Sequence, residues 1–433
     1  MKPRILLVNP PIYDFAAYDF WLKPYGLLTV AGYLRQQADF ELFDFLDRMH
    51  PAVAQDPKHR SDARGRGHYP AGRIPRPSCL DSIPRYFRRY GLDQALFVDF
   101  LDQADPWDIC LIQSTMTYWY PGIKEVVRAL RRHHPKTKII LGGPYAILCP
   151  DHARSLGVDH VITSTDLRPL WKLLHLESDD TQPPLWEIYP KLEVGVQKLT
   201  DGCPYHCTYC SVGAMYKGFQ GRPLQRTIAE FSLLEQRGVQ HIAFYDDALL
   251  YRADTILIPY LDAISKTSQQ VSFHCPNALN ARFITRSLAR ALAQAGFKSL
   301  YLGFESQSRQ WQETTGSKIF AEEFAQAVHY LKEAGISGTD ITAYQILGHP
   351  KTDIQELEAS MQCVHDLGIR GMLADFSPIP GTPDGDICSQ WVDLSEPLMH
   401  NKTAFPILRF GFDAINRLKD LQRQLNHALE PSG

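Results

Sequence analysis

The chain has 433 residues, 44% hydrophobic and 11% aromatic, a globular composition too long for one ordinary core, so two domains and a tail are expected. Its formal net charge of -3 leaves both small-molecule and protein partners open, and no apolar run is long enough to span a bilayer. Nine cysteines, an odd number with three clustered, suit a reducing compartment and a metal site better than a disulfide framework. Together with a start (Met1 to Asn9) that runs straight into a buried-strand pattern, they imply a cytoplasmic protein.

Ile5 to Val8 reads as a buried strand ending in Asn9-Pro10-Pro11, and Gly26 to Gln37 as a helix with Leu27, Val30, Ala31 and Leu34 on its apolar face. Phe40 to Phe45, Ile109 to Ile112, Ile139 to Leu141 and Val158 to Ile162 supply further strands, and a helix runs from Pro121 in its first turn to His133. This alternation predicts a doubly wound parallel sheet over residues 1–177. Its ligand crevice should lie at the carboxyl ends of the strands, where Asn9, Ser114, Thr115, Gly142, Gly143 and Pro144 fall. A long insertion, 50–105, interrupts the domain. Its first half, Pro57 to Pro77, is basic and rich in glycine and proline, so an irregular loop is expected. Arg60, Arg64, Arg66, Arg73 and Arg76 are candidates for phosphates or a carboxylated substrate, against the alternative of a solvated flap. Nucleic acid fits less well, since only Tyr69 interleaves those charges as a stacking platform. Residues 178–190, acidic and closing near Pro183-Pro184, read as a linker.

Alternation resumes over 191–383. Strands are expected at Val194 to Leu199, His241 to Tyr245, Val271 to Cys275, Ser299 to Phe304, Ile341 to Leu347 and Met372 to Ser377. Helices intervene at Thr227 to Arg237, Thr285 to Ala295, Ala321 to Ala334 and Asp353 to Leu367. The first strand leads into C-P-Y-H-C-T-Y-C, with Cys203, Cys207 and Cys210 on one short loop. Three thiolates can hold three irons of a four-iron cluster and leave one iron open. A zinc site, or a closed electron-transfer cluster, would want a fourth ligand, and His206 is the nearby candidate. Cys79, Cys110, Cys149, Cys275, Cys363 and Cys388 are scattered and read as core or incidental thiols. The tail, 384–433, contains an expected final helix from Ala404 to Leu429 that suits a lid or a substrate wall.

The three-then-two cysteine spacing, with Tyr209 before the last cysteine, resembles the signature of the radical S-adenosylmethionine (SAM) enzymes. The resemblance implies a partial (β/α)6 barrel holding a 4Fe-4S cluster and SAM, from which reductive cleavage yields a 5′-deoxyadenosyl radical. It implies that Tyr245-Asp246-Asp247-Ala248 receives the methionine ammonium, that Glu305 and Ser306 of G-F-E-S serve the ribose, and that Gln345 of Y-Q-I-L-G-H-P backs the adenine. Asn277, Asn280 and Arg282 follow the third barrel strand, and Pro378 lies in the stiff loop S-P-I-P-G-T-P after the sixth. The first domain resembles the cobalamin-binding domain of one subgroup, through N-P-P after the first strand, P-Y-G-L-L at Pro24 to Leu28, Ser114-Thr115 and G-G-P-Y from Gly142. Glycines there would let backbone approach a flat corrin ring. Two features depart from cobalamin proteins. No D-x-H-x-x-G supplies a cobalt-ligating histidine, and T-S-T-D-L-R-P-L at Thr163 to Leu170 replaces a glycine-glutamate pair. Tyr13, Phe15 and Trp119 are then candidates to screen the lower corrin face. The activity implied is methyl transfer to an unactivated carbon of a small-molecule substrate, with a flavodoxin or ferredoxin as reducing partner. A radical cyclase or rearrangement catalyst is the alternative within enzymes, and an iron-sulfur electron-transfer protein the alternative outside them.

Overall fold

The computed structural model describes residues 2–265 and 271–430, so the last three residues of the expected tail lie outside it. The chain divides into two compact units. The first comprises Met1–Gly195, Ser232–Gly238 and Ser395–Asn401; the second comprises Val196–Phe231, Val239–Leu394 and Lys402–Gly433.

The first unit contains β1 (Arg4–Asn9), β2 (Ile12–Asp14), β3 (Asp39–Asp44), β4 (Ala71–Arg73), β5 (Arg88–Tyr90), β6 (Ile109–Gln113), β7 (Lys138–Gly142) and β8 (His160–Val161). Five of these form a parallel sheet in the order β3-β1-β6-β7-β8. Because both faces of a parallel sheet are covered, its inner strand β1 is continuously apolar, and Ile5, Leu6, Leu7 and Val8 are wholly buried. Leu6 and Val8 meet Phe97, Ile123, Val126 and Leu130 on one side. Ile5 and Leu7 meet Leu27, Ala31, Leu34 and Leu170 on the other. The strand order reverses between β1 and β6, the place where such sheets leave a ligand crevice. The first helix stops at Tyr33, short of the expected Gln37, and hydrogen-bonded turns carry the chain to Ala38.

The first half of the insertion is largely irregular, as its composition suggests, and the second half is more regular. Its last part, Gln94–Gln103, is a helix on the sheet, capped by Asp93, whose carboxylate accepts from Ala95 N at 2.8 Å. β4 and β5 pair antiparallel, and β5 pairs with β2, in a small second sheet. The basic first half is organised by Arg48, which precedes it. The guanidinium pairs with Asp19 at 2.7 Å and donates to the carbonyls of His59 (3.0 Å) and Gly65 (2.8 Å) and to Ser61 Oγ (3.2 Å). Of the candidate anion-binding arginines, Arg60 and Arg73 are exposed and Arg64, Arg66 and Arg76 half-buried. Arg66 pairs with Asp62 at 2.8 Å, Arg76 donates to the carbonyls of Asp81 and Arg85, and Arg73 lies over the Tyr86 ring. The stretch around Pro183 packs on the first helix: Arg35 donates to Pro183 O at 2.9 Å, Leu185 N bonds Leu28 O at 2.9 Å, and Trp186 is fully buried.

The later strands are β9 (Val194–Gln197), which begins at the end of the first unit's main segment, β10 (Thr200–Gly202), β11 (Phe219–Gly221), β12 (His241–Phe244), β13 (Ser272–Leu279), β14 (Phe297–Glu305), β15 (Ile341–Leu347) and β16 (Arg370–Asp375). The order β16-β15-β14-β13-β12-β9 makes a six-stranded partial barrel, parallel from β12 to β16. Helices Leu224–Gln236, Arg286–Gln294, Ala321–Glu333 and Ile354–Asp366 alternate with the strands. A β-bulge between Gly303 and Glu305 shifts the β14–β15 register, so that Glu305 pairs with Gln345. The final helix is split into Ala404–Phe410 and Phe412–His427, because Gly411 takes φ +85°, outside the helical region.

Candidate active site

The cysteine loop is suspended between β10 and β11, an antiparallel pair in which Gly202 faces Phe219. Gly202 has φ +74°, and a side chain there would drive into Gly218 O at 2.0 Å, so the loop leaves β10 through a turn only glycine can make. Cys203, Cys207 and Cys210 are all free thiols. Among the described residues no three His, Cys, Asp or Glu side chains converge on a position for a single metal ion.

The loop is braced from below by residues the sequence reading missed. Thr208 N bonds Thr315 O at 3.1 Å, and Asp384 N bonds Thr208 O at 3.0 Å. The Thr208 hydroxyl donates to the Asp384 carboxylate. Fully buried His349 reaches the same carboxylate through Nε2 at 3.0 Å, and Lys351 Nζ pairs with its other oxygen at 2.7 Å. Trp311 Nε1 donates to His349 Nδ1 at 3.2 Å, and Lys351 N donates to the same atom, which assigns the proton to Nε2. Burial lowers the His349 pKa, in keeping with that neutral imidazole. Desolvation opposes ionisation of Asp384, but its bonds to His349, Lys351 and Thr208 win and hold its pKa at about 2. Tyr209 stacks on Trp311 with ring centroids 5.9 Å apart and meets His349 edge-on.

Beside the loop, the paired aspartates separate. Asp246 is buried, and its Oδ1 accepts from Leu199 N (2.9 Å), Thr200 N (2.6 Å) and Thr200 Oγ1 (2.6 Å), fastening the exit of β9 to the end of β12. Its Oδ2 has no partner, and burial lifts the pKa to about 6. Asp247 is less enclosed; desolvation raises its pKa, while Lys198 draws it down. Lys198 itself pairs with Asp201 at 2.9 Å, and Arg222 reaches Asp201 at 2.8 Å, a charged group immediately before Cys203. A carboxylate two residues ahead of the first cysteine was the available sequence signal.

Glu305 is 6% exposed and adopts φ +65°, rare for a residue with a side chain. Its Oε1 is paired with Lys318 Nζ at 3.1 Å. Ser306 turns its hydroxyl to Ser308 N at 3.1 Å, and Pro378 is buried. Gln345 is fully buried with both amide atoms unpartnered. Its neighbour Tyr344 stacks on Tyr301 at 5.2 Å and donates to Pro276 O at 3.0 Å, so by strand alternation Gln345 points to the opposite face. Asn277 donates to the carbonyls of Tyr245 and Asp246, Asn280 caps the short turn at Ala281–Phe283, and Arg282 pairs with Glu323 at 2.9 Å.

In the first unit, the strand-end residues gather at the crevice but mostly bond one another. Asn9 donates to Asp44 at 2.7 Å; Ser114 donates to Gly142 O at 2.8 Å and accepts from Ala146 N. Gly143 has φ +95°, and a Cβ there would stand 2.3 Å from Ser114 O, so the backbone requires this glycine whatever the crevice holds. Gly142 is different: a Cβ would meet only Ile162 at 3.9 Å, which leaves an open cradle with Thr115 and Pro144 partly exposed beside it. Tyr13 is bonded to Glu125 at 2.5 Å, Phe15 packs edge-on to Phe87, and Trp119 donates to Asp14 at 2.8 Å. Two buried residues far along the chain join this end of the sheet: His400 Nδ1 lies 2.9 Å from Thr117 Oγ1, and Asn401 donates to Asp14 at 2.8 Å. Neither carries a local motif that would reveal the placement.

Residues 198–364 match the family described as the radical SAM superfamily. An uncharacterised methyltransferase of Pyrococcus horikoshii is 27% identical over 43% of this chain and 40% of that protein. A threonylcarbamoyladenosine tRNA methylthiotransferase of Thermotoga maritima is 24% identical over 60% of this chain and 64% of that protein. The chain thus spans less than two thirds of either relative. Among solved structures, the radical SAM methyltransferase TsrM of Kitasatospora setae, with tryptophan and a SAM analogue bound, superposes with TM-score 0.65 at 14% identity, covering 90% of this chain and 76% of that one. A second structure of the same protein, holding cobalamin and a 4Fe-4S cluster, gives TM-score 0.64 at 15% identity over 90% and 78%. At such identities the likeness is one of fold: a doubly wound parallel sheet followed by a radical SAM partial barrel. No helix among the described residues is long and apolar enough to cross a membrane.

Proposed function

We propose that this chain, whose residues 198–364 match the radical SAM superfamily, is a cobalamin-dependent radical SAM methyltransferase acting on an unactivated carbon of a small molecule. The observation that carries the reading is the union, in one chain, of three free cysteines on a strand-end loop of a partial barrel with a parallel sheet whose order reverses between β1 and β6. That union is also the fold of TsrM, which binds both cobalamin and a 4Fe-4S cluster. When bound, the cluster and SAM supply a 5′-deoxyadenosyl radical by one-electron cleavage, and cobalamin supplies a transferable methyl group.

Cys203, Cys207 and Cys210 would hold the cluster, on a loop kept in shape by Asp384 through Thr208. Asp247 would receive the methionine ammonium, since it is partly exposed and Oδ1 of Asp246 already fastens the backbone of Leu199 and Thr200. The orphaned Asp246 Oδ2 fits a second donor from the same ligand. Glu305 would serve the ribose with its oxygen not engaged by Lys318. The open backbone at Gly142, with Thr115 beside it, fits the approach of a flat corrin. A low-potential flavodoxin or ferredoxin would provide the electron, and the cytoplasm is the compartment that suits free thiols and such donors.

A second reading, a radical SAM enzyme without cobalamin, is favoured by one observation: Asn9 and Ser114, expected at the corrin, are bonded within the protein. The two separate cleanly. Protein produced with hydroxocobalamin should retain about one corrin per chain through gel filtration and release 5′-deoxyadenosine from SAM under dithionite. SAM cleavage by a protein that keeps no corrin would end the methyltransferase reading and leave the second.

A further inference from the structure

A row of ring side chains in the second unit runs in contact from the surface to the cysteine loop. Trp391, 44% exposed, has its ring centroid 6.2 Å from that of Phe405. Phe405 lies 5.7 Å from Phe376, Phe376 5.2 Å from His349, and His349 5.9 Å from Tyr209, all separations of touching rings. Phe405, Phe376 and His349 are buried, and Tyr209 stands directly before Cys210. Each ring is placed by a different element: the cysteine loop, the exits of β15 and β16, the turn after the short helix Pro383–Ile387, and the helix Ala404–Phe410. An aromatic core needs no exposed end, but this row has one. Ile387, one turn before Trp391, is 40% exposed, and Leu408 is 38% exposed beside Arg409, whose guanidinium lies 5.7 Å from the Trp391 ring centroid. Exposed large apolar side chains brought together in this way mark a contact site. Arg409 gives its N–H groups to the carbonyls of His349 and Pro350, and among the described residues no carboxylate pairs with it.

We propose that Trp391, with Ile387 and Leu408, is the docking surface for a flavodoxin-class electron donor, whose electron reaches the cysteine loop through the row of packed rings. The proposal rests on the cluster part of the reading above and not on its corrin part. Tunnelling weakens steeply across gaps, and rings in contact leave none. The anionic flavin hydroquinone gives up one electron and becomes the neutral semiquinone, while the cluster passes from its oxidised to its reduced state. No bond forms or breaks, no proton moves, and the rings themselves are neither oxidised nor reduced. The chemistry of the surface selects the donor. An exposed indole with aliphatic neighbours matches the apolar edge of a flavin ring, and Arg409 offers a positive charge to the acidic rim of such a protein. A ferredoxin would bring acidic charge but no ring for the indole to meet.

The test mixes the anaerobically reconstituted full chain, without SAM or corrin, with flavodoxin hydroquinone in a stopped-flow and follows cluster bleaching against donor concentration. Dithionite serves as the small reductant that needs no docking. Trp391→Asp should raise the half-saturating flavodoxin concentration at least about tenfold and leave iron content and the dithionite rate unchanged, and Trp391→Phe should restore the wild-type dependence. Bleaching of the wild type by dithionite checks the cluster first; its absence would end the cluster reading and this proposal with it, whereas failure of corrin retention touches neither. With the cluster present, the proposal is overturned by a wild type that flavodoxin does not reduce, by equal flavodoxin dependence in wild type and Trp391→Asp, or by an equal slowing with dithionite. A Trp391 effect seen with ferredoxin and not with flavodoxin, or a wild-type dimer in gel filtration that Trp391→Asp dissolves, would give the surface to a different occupant and overturn it as well.

Discussion

Asp384 is the residue whose loss should reach the cluster without touching it. Its carboxylate receives the Thr208 hydroxyl, His349 Nε2 at 3.0 Å and Lys351 Nζ at 2.7 Å, and it is fully buried. In Asp384→Asn the amide NH2 must face one of these donors, so one bond is lost together with the charge on the others. The fall in pKa from 3.8 to about 2 corresponds to about 2 kcal/mol in favour of the ionised form, and loss of one partner in a buried set costs a similar amount. Local opening of the loop should then be about 30-fold more frequent. Amide exchange at Thr208 and Cys210, whose N–H groups bond Thr315 O and Cys207 O, reads that directly at neutral pH, and iron per chain after reconstitution should fall. A depressed carboxyl pKa stabilises fully above the unfolded value of 3.8 and is lost as pH drops through the folded value of about 2. The difference between wild type and variant should therefore be constant above about pH 4 and vanish near pH 2. Equal exchange rates and equal iron content at pH 7 would refute the bracing role.

Alanine at Cys203, Cys207 or Cys210 should remove most of the brown iron-sulfur absorbance after anaerobic reconstitution, whereas zinc as the sole stoichiometric metal of anaerobically purified wild type would sink the cluster assignment. Asp246→Asn and Asp247→Asn should behave differently. The first keeps an oxygen for Leu199 and Thr200 and discards a charge that burial disfavours; since its folded pKa is raised, the cost grows as pH climbs from 3.8 to about 6 and persists above, so urea stability at pH 8 should be no lower than wild type. The second should weaken SAM binding in calorimetry while leaving the cluster spectrum intact, and equal affinity would remove Asp247 from the ammonium site. Arg48→Met breaks a buried pair with Asp19, at a cost of about 3 to 5 kcal/mol, and should open residues 57–68 to limited proteolysis; an unchanged digestion pattern would show that the loop is ordered by something else.

Both sheets were legible because burial on two faces writes itself as unbroken apolar runs such as Ile5 to Val8 and Leu300 to Phe304. Every barrel strand lies within two or three residues of its expected place except β13, which continues to Leu279 past Cys275 through a stretch holding Pro276 and Asn277. At the insertion, composition pointed to an irregular loop, and residues 57–77 are largely that; what it could not report is that one arginine outside the segment, Arg48, satisfies the loop carbonyls of His59 and Gly65. Gly411, by contrast, was visible inside the expected final helix, and a glycine at that position was a warning that the helix would break.

The three clustered cysteines stand out from spacing alone because they share one short loop. What shapes that loop does not, since a buried carboxylate is stabilised by partners that need only be near in space. Asp384 stands 176 residues from Thr208 and 35 from His349. The same logic limits the motif at Tyr245 to Ala248. Two adjacent aspartates suggest one shared task, but beyond the end of β12 they lie in different surroundings. Asp246 is spent on the backbone of Leu199 and Thr200, which sets the direction in which the chain enters the cysteine loop. Asp247 is left with the freer carboxylate, near Lys198. One carboxylate thus carries a backbone-fastening task that its neighbour does not, which is why the two amide variants, and not a double substitution, are the informative pair.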